Sequence, residues 1–268
     1  MSDILEKILA TKKAEVEAGR QARPLAQLER EARAAPPPRG FERALRARIA
    51  AGHSAVIAEF KRASPSRGVL GASLDPAEVA RSYERHGASC LSVLTDSIYF
   101  SGSPADLIAA RAACALPVLR KDFVVDPWQV HEARAMGADC ILLIVGAVDP
   151  PALRELERLA RSLGMDVLVE CHDGDQLEVA LGLETSLIGV NNRDLRTFAV
   201  RLETTLDLLP RIPAARLLVT ESGIASPEHV RRLSEAGVRA YLVGSAFVET
   251  GDPGPALSRL FSGPKGGG

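Results

Sequence analysis

The 268-residue sequence lacks the features that mark several large classes of protein. No apolar run is long enough for a membrane-spanning helix, and residues 1–7 lack the apolar core of a signal peptide. The 33 basic and 34 acidic residues nearly cancel, so charge gives no general reason to expect nucleic-acid or membrane partners. The length suits one large α/β domain or two small ones.

Cysteine and histidine are too scattered to suggest a metal site. Cys90, Cys114, Cys140 and Cys171 are far apart, and neither they nor the five histidines show metal-like spacing. Three of the cysteines lie in or beside apolar runs. We therefore expect reduced, mostly buried thiols and a cytoplasmic protein, and we assign no role to any histidine.

Lysine is also scarce. Only six of the 33 basic residues are lysine, and residues 52–261 contain just Lys61 and Lys121, both at the ends of predicted strands. An ammonium group can give up its proton when its surroundings lower its pKa, whereas a guanidinium effectively cannot. Lysine at these two positions, in a chain that otherwise uses arginine, suggests proton chemistry.

The chain is organised around residues 54–68. The apolar run 55–58 predicts a buried strand, which Glu59 and Lys61 interrupt before a turn-forming loop at 64–68. Because side chains two apart in a strand share a face, Glu59 and Lys61 point the same way as Ile57. Taken alone, the pattern is equally compatible with a strand that ends in a surface ion pair.

The first fifty residues have a different pattern from the rest. An apolar stripe predicts a helix near the start, residues 34–40 form a Pro-rich break, and residues 41–51 predict a second helix. Fifty residues are too few for a confident independent core. We therefore expect residues 1–50 to be a helical extension packed on a main domain of residues 51–262, with a disordered tail at 263–268.

From residue 54 onward, apolar strands alternate with helices over eight units. The predicted strands are residues 55–58, 90–95, 117–121, 140–145, 166–170, 187–191, 217–221 and 240–244. A doubly wound sheet would usually show a glycine-rich phosphate turn after its first strand, and none is present here. The repeat therefore predicts an α/β fold of the (β/α)8 TIM-barrel type with an N-terminal helical extension.

Polar residues interrupt the apolar strands where each one ends. In a barrel these carboxyl ends form the active site, and the alternation of side chains directs all of them to the barrel mouth. Any one of them alone is as well explained by a strand-end charge that meets solvent, but six at matching positions are not. The six candidates are Glu59, Lys61, Lys121, Glu170, Asn191 and Glu221.

Two glycine turns suggest that the ligand carries a phosphate. Ser222-Gly223 follows the seventh strand and Gly244-Ser245 ends the eighth, where barrels of this type often bind phosphate. Glycine lets backbone N–H groups approach an anion closely, although it also serves tight turns. Phe100 and Phe123, in the loops after the second and third strands, either line an aromatic ligand site or simply pack on neighbouring residues.

Several motifs together resemble the indole-3-glycerol phosphate synthase family of tryptophan biosynthesis. The hallmark is residues 58–68, AEFKRASPSRG, and the N-terminal extension is also similar. The remaining matches are LT at 94–95 with YFSG at 99–102, LRKDF at 119–123, LVE at 168–170, GVNNRDL at 189–195 and ESGI at 221–224. The resemblance covers nearly the whole chain, with no departure at a position expected to do chemistry.

The resemblance implies closure of an indole ring. The substrate, 1-(2-carboxyphenylamino)-1-deoxyribulose 5-phosphate, would lose carbon dioxide and water, steps that need an acid and a base. No metal or organic cofactor is implied, and the oligomeric state stays open.

The resemblance also implies roles for the strand-end residues. Lys121 would be the general acid and Glu170 a base or electrostatic partner. Lys61, held by Glu59, would either pair with the substrate carboxylate or act as the acid in dehydration. Asn191, Glu221 and Ser222 would orient the substrate and the lysines and take part in catalysis. The phosphate would be bound by Ser222, Gly223, Gly244 and Ser245. The rest of the substrate would be contacted by Ser64, Arg193, Phe100 and Phe123.

The pKa of Lys121 is subject to opposing effects. Lys61 and partial burial would lower it, whereas nearby glutamates would raise it.

Two alternatives remain. A related barrel such as phosphoribosylanthranilate isomerase would share the phosphate end, but it uses a cysteine and an aspartate where this chain has lysines and glutamates. A barrel that only binds a phosphorylated metabolite is less compatible with two lysines and three carboxylates near one another, because uncompensated buried charge is costly.

Overall fold

The structure is a computed structural model that describes residues 3–65, 68–71 and 74–262. The predicted disordered tail, residues 263–268, lies outside these ranges. Eight parallel strands form a closed barrel in which each strand pairs with its neighbours in sequence and the last pairs with the first, which confirms the predicted (β/α)8 fold. The strands are β1 Ala55–Phe60, β2 Cys90–Leu94, β3 Val118–Lys121, β4 Cys140–Ile144, β5 Asp166–Cys171, β6 Leu187–Asn191, β7 Leu217–Glu221 and β8 Ala240–Val243.

Alternate residues of the strands fill the barrel interior. Ala55 of β1 pairs with Ala240 of β8, and Ile57 pairs with Cys90 of β2, so these side chains form layers inside the barrel. The same interior cluster includes Leu119, Leu168 and Val219. The next inward position on each of these last three strands is Lys121, Glu170 or Glu221, as the alternation of side chains predicted.

Twelve helices are present in the described residues, and nine of them follow barrel strands. They are α4 Pro76–Arg85, α5 Pro104–Ala113, α6 Pro127–Ala135, α7 Pro150–Ser162, α8 Gly174–Leu181, α9 Glu203–Leu208, α10 Pro227–Glu235, α11 Ser245–Val248 and α12 Pro253–Phe261. Helix α4 has a polar cap, because the Asp75 carboxylate accepts a hydrogen bond from the Glu78 N–H at 2.8 Å and Pro76 occupies the first turn. Short polar caps of this kind also begin α5, α6, α7, α8 and α10.

The extension contains one more helix than predicted. The helices are α1 Asp3–Ala22, α2 Leu25–Ala34 and α3 Phe41–Ala50. We expected a single helical stretch before the break at 34–40, but Pro24 separates α1 from α2. Proline has no backbone N–H and restricts the residue before it, so a helix cannot run through it undisturbed.

The third helix closes the amino-terminal end of the barrel. Phe41 and Leu45 of α3 are fully buried and pack on the interior cluster. The Asp166 carboxylate at the start of β5 accepts a hydrogen bond from the Glu42 N–H at 2.9 Å. The extension therefore contacts this end of the barrel as well as its side, and the domain boundary at residue 50 stays a prediction.

Some short elements were not predicted. Residues Ala63–Ser64 and Gly68–Val69 pair as a two-stranded antiparallel hairpin after β1, and a 3-10 turn at Leu209–Arg211 follows α9. No helix in the described ranges has the length and apolar character that crossing a bilayer would require.

Candidate active site

A cavity of about 590 Å³ opens at the carboxyl ends of the strands. It is lined by every predicted site residue except Phe123, namely Glu59, Lys61, Ser64, Phe100, Lys121, Glu170, Asn191, Arg193, Glu221, Ser222, Gly223, Gly244 and Ser245. Its floor includes Leu142, Ile144 and Leu242 of the barrel interior, and Ile4 and Ile8 of α1 also line it. The tertiary structure thus gathers residues from all eight barrel strands and the extension at one site.

Glu59 and Lys61 form a largely buried ion pair at the end of β1. Lys61 Nζ donates to Glu59 Oε1 at 2.8 Å, and Ser92 Oγ donates to Glu59 Oε2 at 3.4 Å. Glu59 is only 5% exposed, which does not fit a surface ion pair. Burial by itself would raise the pKa of Glu59, but the charges of Lys61 and Lys121 outweigh it and lower that pKa.

Lys121 lies between two glutamates. Its Nζ donates to Glu221 Oε2 at 2.8 Å and to Glu170 Oε2 at 3.3 Å. Burial disfavours the ammonium form, but the carboxylates of Glu221, Glu170 and Glu59 outweigh burial and raise the pKa of Lys121. Of the opposing effects expected from the sequence, the glutamates prevail, so Lys121 is charged in the ligand-free protein.

The two glutamates around Lys121 differ in their protonation. Burial and the negative charges of Glu170 and Glu59 raise the pKa of Glu221 to about 8, despite the nearby ammonium. Burial would also raise the pKa of Glu170, but Lys121, His172 and Asn191 together lower it. Environments that shift the pKa values of two neighbouring carboxyl groups in opposite directions are typical of acid–base sites.

Asn191 connects Glu170 to the loop that follows β6. Its Nδ2 donates to Glu170 Oε1 at 3.2 Å, and its Oδ1 accepts from the Arg193 N–H at 3.0 Å. The side chain therefore sets the direction of the Glu170 carboxylate from a neighbouring strand.

Two glycines make room for the buried glutamates. A Cβ atom at Gly189 would lie 2.5 Å from Glu221 Oε1, and one at Gly244 would lie 2.5 Å from Glu59 Oε1. The sequence suggested a phosphate role for Gly244, and the structure adds close packing against Glu59 as a second reason for glycine. Gly189 was not singled out, because a glycine within a strand gives no sign of which side chain crosses it.

Backbone turns line the end of the cavity near β7 and β8. Ser222 and Gly223 have φ values of 67° and 81°, and Ser222 is one of few non-glycine residues in the left-handed region. A left-handed residue of this kind is a mark of strain that clusters at functional sites. Near this turn, His229 Nδ1 lies 2.9 Å from the Gly223 carbonyl oxygen, and both His229 and Arg232 line the cavity.

The two predicted aromatic residues occupy different places. Phe100 lines the cavity, and its ring centroid lies 6.2 Å from that of Phe123. Phe123 packs beside the interior cluster and is not among the described residues that line the cavity. Phe123 therefore supports Phe100 from outside the described lining of the cavity.

Lys12 is a buried charge that sequence reasoning missed. Its Nζ on α1 lies 2.7 Å from Asp96 Oδ2 and 3.0 Å from Asp122 Oδ1, so it ties the extension to the loops after β2 and β3. Burial opposes the charged form, but Asp122, Asp96 and Glu15 raise the pKa of Lys12. A signal was present, because Lys12 stands on the apolar stripe of α1 between Leu9 and Val16.

The fold and the site together define a class of protein. A (β/α)8 barrel with buried ammonium–carboxylate pairs at its mouth is an enzyme scaffold suited to acid–base chemistry on a small anionic molecule. Within the described residues, no cluster of histidine, cysteine, aspartate and glutamate is arranged to hold a metal ion.

Comparison with known proteins identifies the family. The family model for indole-3-glycerol phosphate synthase matches residues 5–260. The protein named indole-3-glycerol phosphate synthase from Aromatoleum aromaticum is 61% identical over 261 residues, covering 97% of this chain and 100% of that one. The protein of the same name from Bordetella pertussis is 59% identical over 260 residues, covering 97% and 99%. The chain belongs to the indole-3-glycerol phosphate synthase family, and it is thereby a decarboxylating lyase of tryptophan biosynthesis.

More distant solved structures share the fold. The tryptophan synthase alpha chain from Legionella pneumophila superposes with a TM-score of 0.61 at 14% identity, covering 83% of this chain and 95% of that chain. The N-acetylmannosamine-6-phosphate 2-epimerase from Clostridium perfringens gives a TM-score of 0.58 at 13% identity, covering 74% and 89%. At such low identity, these similarities concern the barrel alone.

Proposed function

We propose that the cavity closes the indole ring of 1-(2-carboxyphenylamino)-1-deoxyribulose 5-phosphate with loss of carbon dioxide and water. The observation that carries the proposal is the pair of largely buried lysines, Lys61 and Lys121, each held by glutamate and both facing one cavity. The cavity volume of about 590 Å³ suits a ligand of this size.

Lys121 is the general acid of ring closure. The aryl carbon attacks the ribulose carbonyl, and the oxygen that becomes a hydroxyl must take up a proton. The surrounding carboxylates keep Lys121 protonated, so the acid is already loaded before substrate arrives. The alkoxide oxygen that forms in this step is a strong base and takes up this proton.

Glu170 is the base that takes a proton from the ring-closed intermediate. Its pKa is lowered, so it is a carboxylate at neutral pH and can accept a proton. Asn191 orients it, and Glu221 holds Lys121 from the opposite side of the barrel.

Lys61 acts on the anionic half of the substrate. Glu59, which also accepts a hydrogen bond from Ser92, holds it in place. Its ammonium either pairs with the carboxylate that leaves as carbon dioxide or supplies the proton for dehydration. The geometry of the ligand-free cavity is compatible with both roles.

The remaining lining residues bind the two ends of the substrate. Ser222, Gly223, Gly244 and Ser245 present backbone and hydroxyl groups to the phosphate. Ser64 and Arg193 add hydrogen bonds, and Phe100, supported by Phe123, flanks the anthranilate ring. We expect the enzyme to act in the cytoplasm, where its free cysteines stay reduced.

The isomerase alternative has less support at this cavity. Cys90 and Cys140 belong to the barrel-interior cluster, and no cysteine is among the described residues that line the cavity. An isomerisation by a cysteine–aspartate pair would need a thiol there.

The test is the appearance of indole fluorescence when purified protein is mixed with the carboxyphenylamino substrate. We expect turnover with this substrate and none with phosphoribosylanthranilate. Failure to convert active-grade substrate would overturn the proposed function, and conversion of phosphoribosylanthranilate would favour the isomerase.

A further inference from the structure

His172 is a largely buried titratable group next to the site, and the proposed reaction does not use it. It follows Glu170 by two residues at the end of β5, and its Nε2 lies 3.4 Å from Glu170 Oε1. Nε2 is inaccessible to solvent and has no hydrogen-bond partner of good geometry among the described residues. A buried polar atom in this position calls for an explanation.

Gln176 determines which ring nitrogen of His172 carries a proton. Gln176 Oε1 accepts a hydrogen bond from the backbone N–H of His172 at 3.0 Å, which identifies this atom as the amide oxygen. The same oxygen lies 3.1 Å from His172 Nδ1. Because an amide oxygen only accepts hydrogen bonds, Nδ1 must be the donor. Gln176 is itself held in the first turn of α8, where its N–H donates to the Asp173 carboxylate at 2.9 Å.

The other ring nitrogen then faces a carboxylate. If the ring were neutral, Nε2 would lie 3.4 Å from Glu170 Oε1 with no proton between the two electron-rich atoms, which is repulsive in a buried site. A proton on Nε2 turns the contact into a charge-assisted interaction. We propose that His172 is a positioning residue whose ring, oriented by Gln176, carries a proton on Nε2 and thereby holds Glu170 as an aligned carboxylate.

The electrostatics of Glu170 support this assignment. Burial would raise the pKa of Glu170, but the charges of Lys121 and His172 lower it. A positive charge on His172 therefore helps to keep Glu170 ionised beside Glu221, whose pKa is raised.

The other charged and titratable groups near His172 already have partners or roles of their own. Asn191 on the neighbouring strand β6 and Lys121 and Glu221 on β3 and β7, each two strands away, face Glu170. On the same segment, Asp173 caps α8, and the pKa of the Cys171 thiol is raised to about 12 by burial and by the Glu170 and Glu221 charges, so the thiol is neutral. Arg211, which reaches the start of α8, is paired with Glu178.

The inference rests on the proposed function only for its kinetic consequence. The protonation state itself is measured directly by ¹⁵N NMR of the imidazole nitrogens at pH 7, with the His172 signals identified by their loss in His172→Gln. We expect both ring nitrogens to be protonated. A neutral ring, with its proton on either nitrogen, would overturn the proposal.

The kinetic test is the pH dependence of kcat/KM. Loss of the cation beside Glu170 should raise the pKa of that base, so the acid limb of His172→Gln should move to higher pH by about one unit, which is about tenfold in kcat/KM on that limb. Gln176→Leu, which frees the ring, should move the limb in the same direction. His53→Gln makes the same substitution at an exposed histidine and should leave the limb in place.

The outcomes separate the two proposals. An acid limb unchanged in His172→Gln, whatever its KM, would contradict the positioning role, and His172→Asn serves if the glutamine variant does not fold. Absence of turnover in the wild-type protein would instead count against the proposed function, and the NMR measurement would still decide the state of His172.

Discussion

Lys121 Nζ and Glu221 Oε2 lie 2.8 Å apart, although the two residues are 100 positions apart in the chain. They end β3 and β7, which stand opposite each other in the closed ring of eight strands. The pair therefore spans the barrel mouth, and only closure of the barrel brings it together. It keeps Lys121 charged and central in the cavity, with Glu170 as a second partner at 3.3 Å.

Lys121 can be tested with two substitutions. Arginine keeps the charge but holds its proton too tightly to donate it. If Lys121 donates a proton, Lys121→Arg should nearly abolish turnover, while substrate affinity stays within about tenfold, or about 1.4 kcal/mol. Turnover and affinity of Lys121→Arg and Lys121→Met decide the matter. An arginine enzyme with near-normal turnover and a much weaker methionine enzyme would show that charge alone is needed.

Glu59→Gln tests the ion pair at the end of β1. Glutamine keeps the shape of the side chain but removes the charge that holds Lys61, so turnover should fall by at least about tenfold, or about 1.4 kcal/mol of barrier. Steady-state kinetics measures this effect. Glu228→Gln is the matched control, because Glu228 forms an exposed ion pair with Arg231 and is not among the described residues that line the cavity. Equal turnover in both variants would show that Glu59 has only a structural role.

Glu221 should make the stability of the protein depend on pH. Its pKa is raised to about 8 in the folded state, so between pH 4.5 and 8 this carboxyl binds more protons folded than unfolded. Its contribution to stability is therefore fully present below about pH 4.5 and is lost as the pH rises through about 8. Because glutamine does not titrate, Glu221→Gln should not show this loss of stability at high pH.

The measurement is urea unfolding of both proteins at pH 5 and pH 8. Between pH 5 and pH 8, the wild type should lose at least about 1 kcal/mol of its free energy of unfolding relative to Glu221→Gln. If the free energies of unfolding of the two proteins change in parallel between these pH values, the pKa of Glu221 is not raised in the folded protein.

Lys12→Met should detach the extension from the barrel mouth. The substitution leaves Asp96 and Asp122 buried without their ammonium partner, which costs about 3–5 kcal/mol. Because α1 also carries Ile4 and Ile8 into the cavity lining, KM should rise as well. Lys13→Met is the control, since Lys13 is exposed on the same helix. Denaturant unfolding and KM of the two variants should differ clearly, and similar values would show that Lys12 is not an anchor.

Phosphate or sulfate should bind at the turns after β7 and β8. In crystals grown with either anion, we expect it against the backbone of Gly223 and of Gly244-Ser245, as expected for barrels of this type. Electron density for an anion at another place only, with these turns empty, would argue against the assigned phosphate site.

The strand-end residues could be predicted because strand periodicity is a local property. Side chains two apart share a face, so Glu59 and Glu170 could be assigned to the interior face from the pattern alone. The apolar stripe alone does not reveal the break at Pro24, although the proline itself is a local signal for it. The contacts of Lys12 could be suspected only from its place on an apolar stripe.

Local sequence therefore determined the elements, their order and the set of polar residues at the strand ends, because periodicity, caps and turns act over a few residues. Only the tertiary structure decided that Glu221 meets Lys121, that Gly189 and Gly244 leave room for glutamates, and that the pKa of Lys121 is raised while that of Glu170 is lowered. The reason is physical: burial and charge at a buried group are set by neighbours that barrel closure brings from distant parts of the chain.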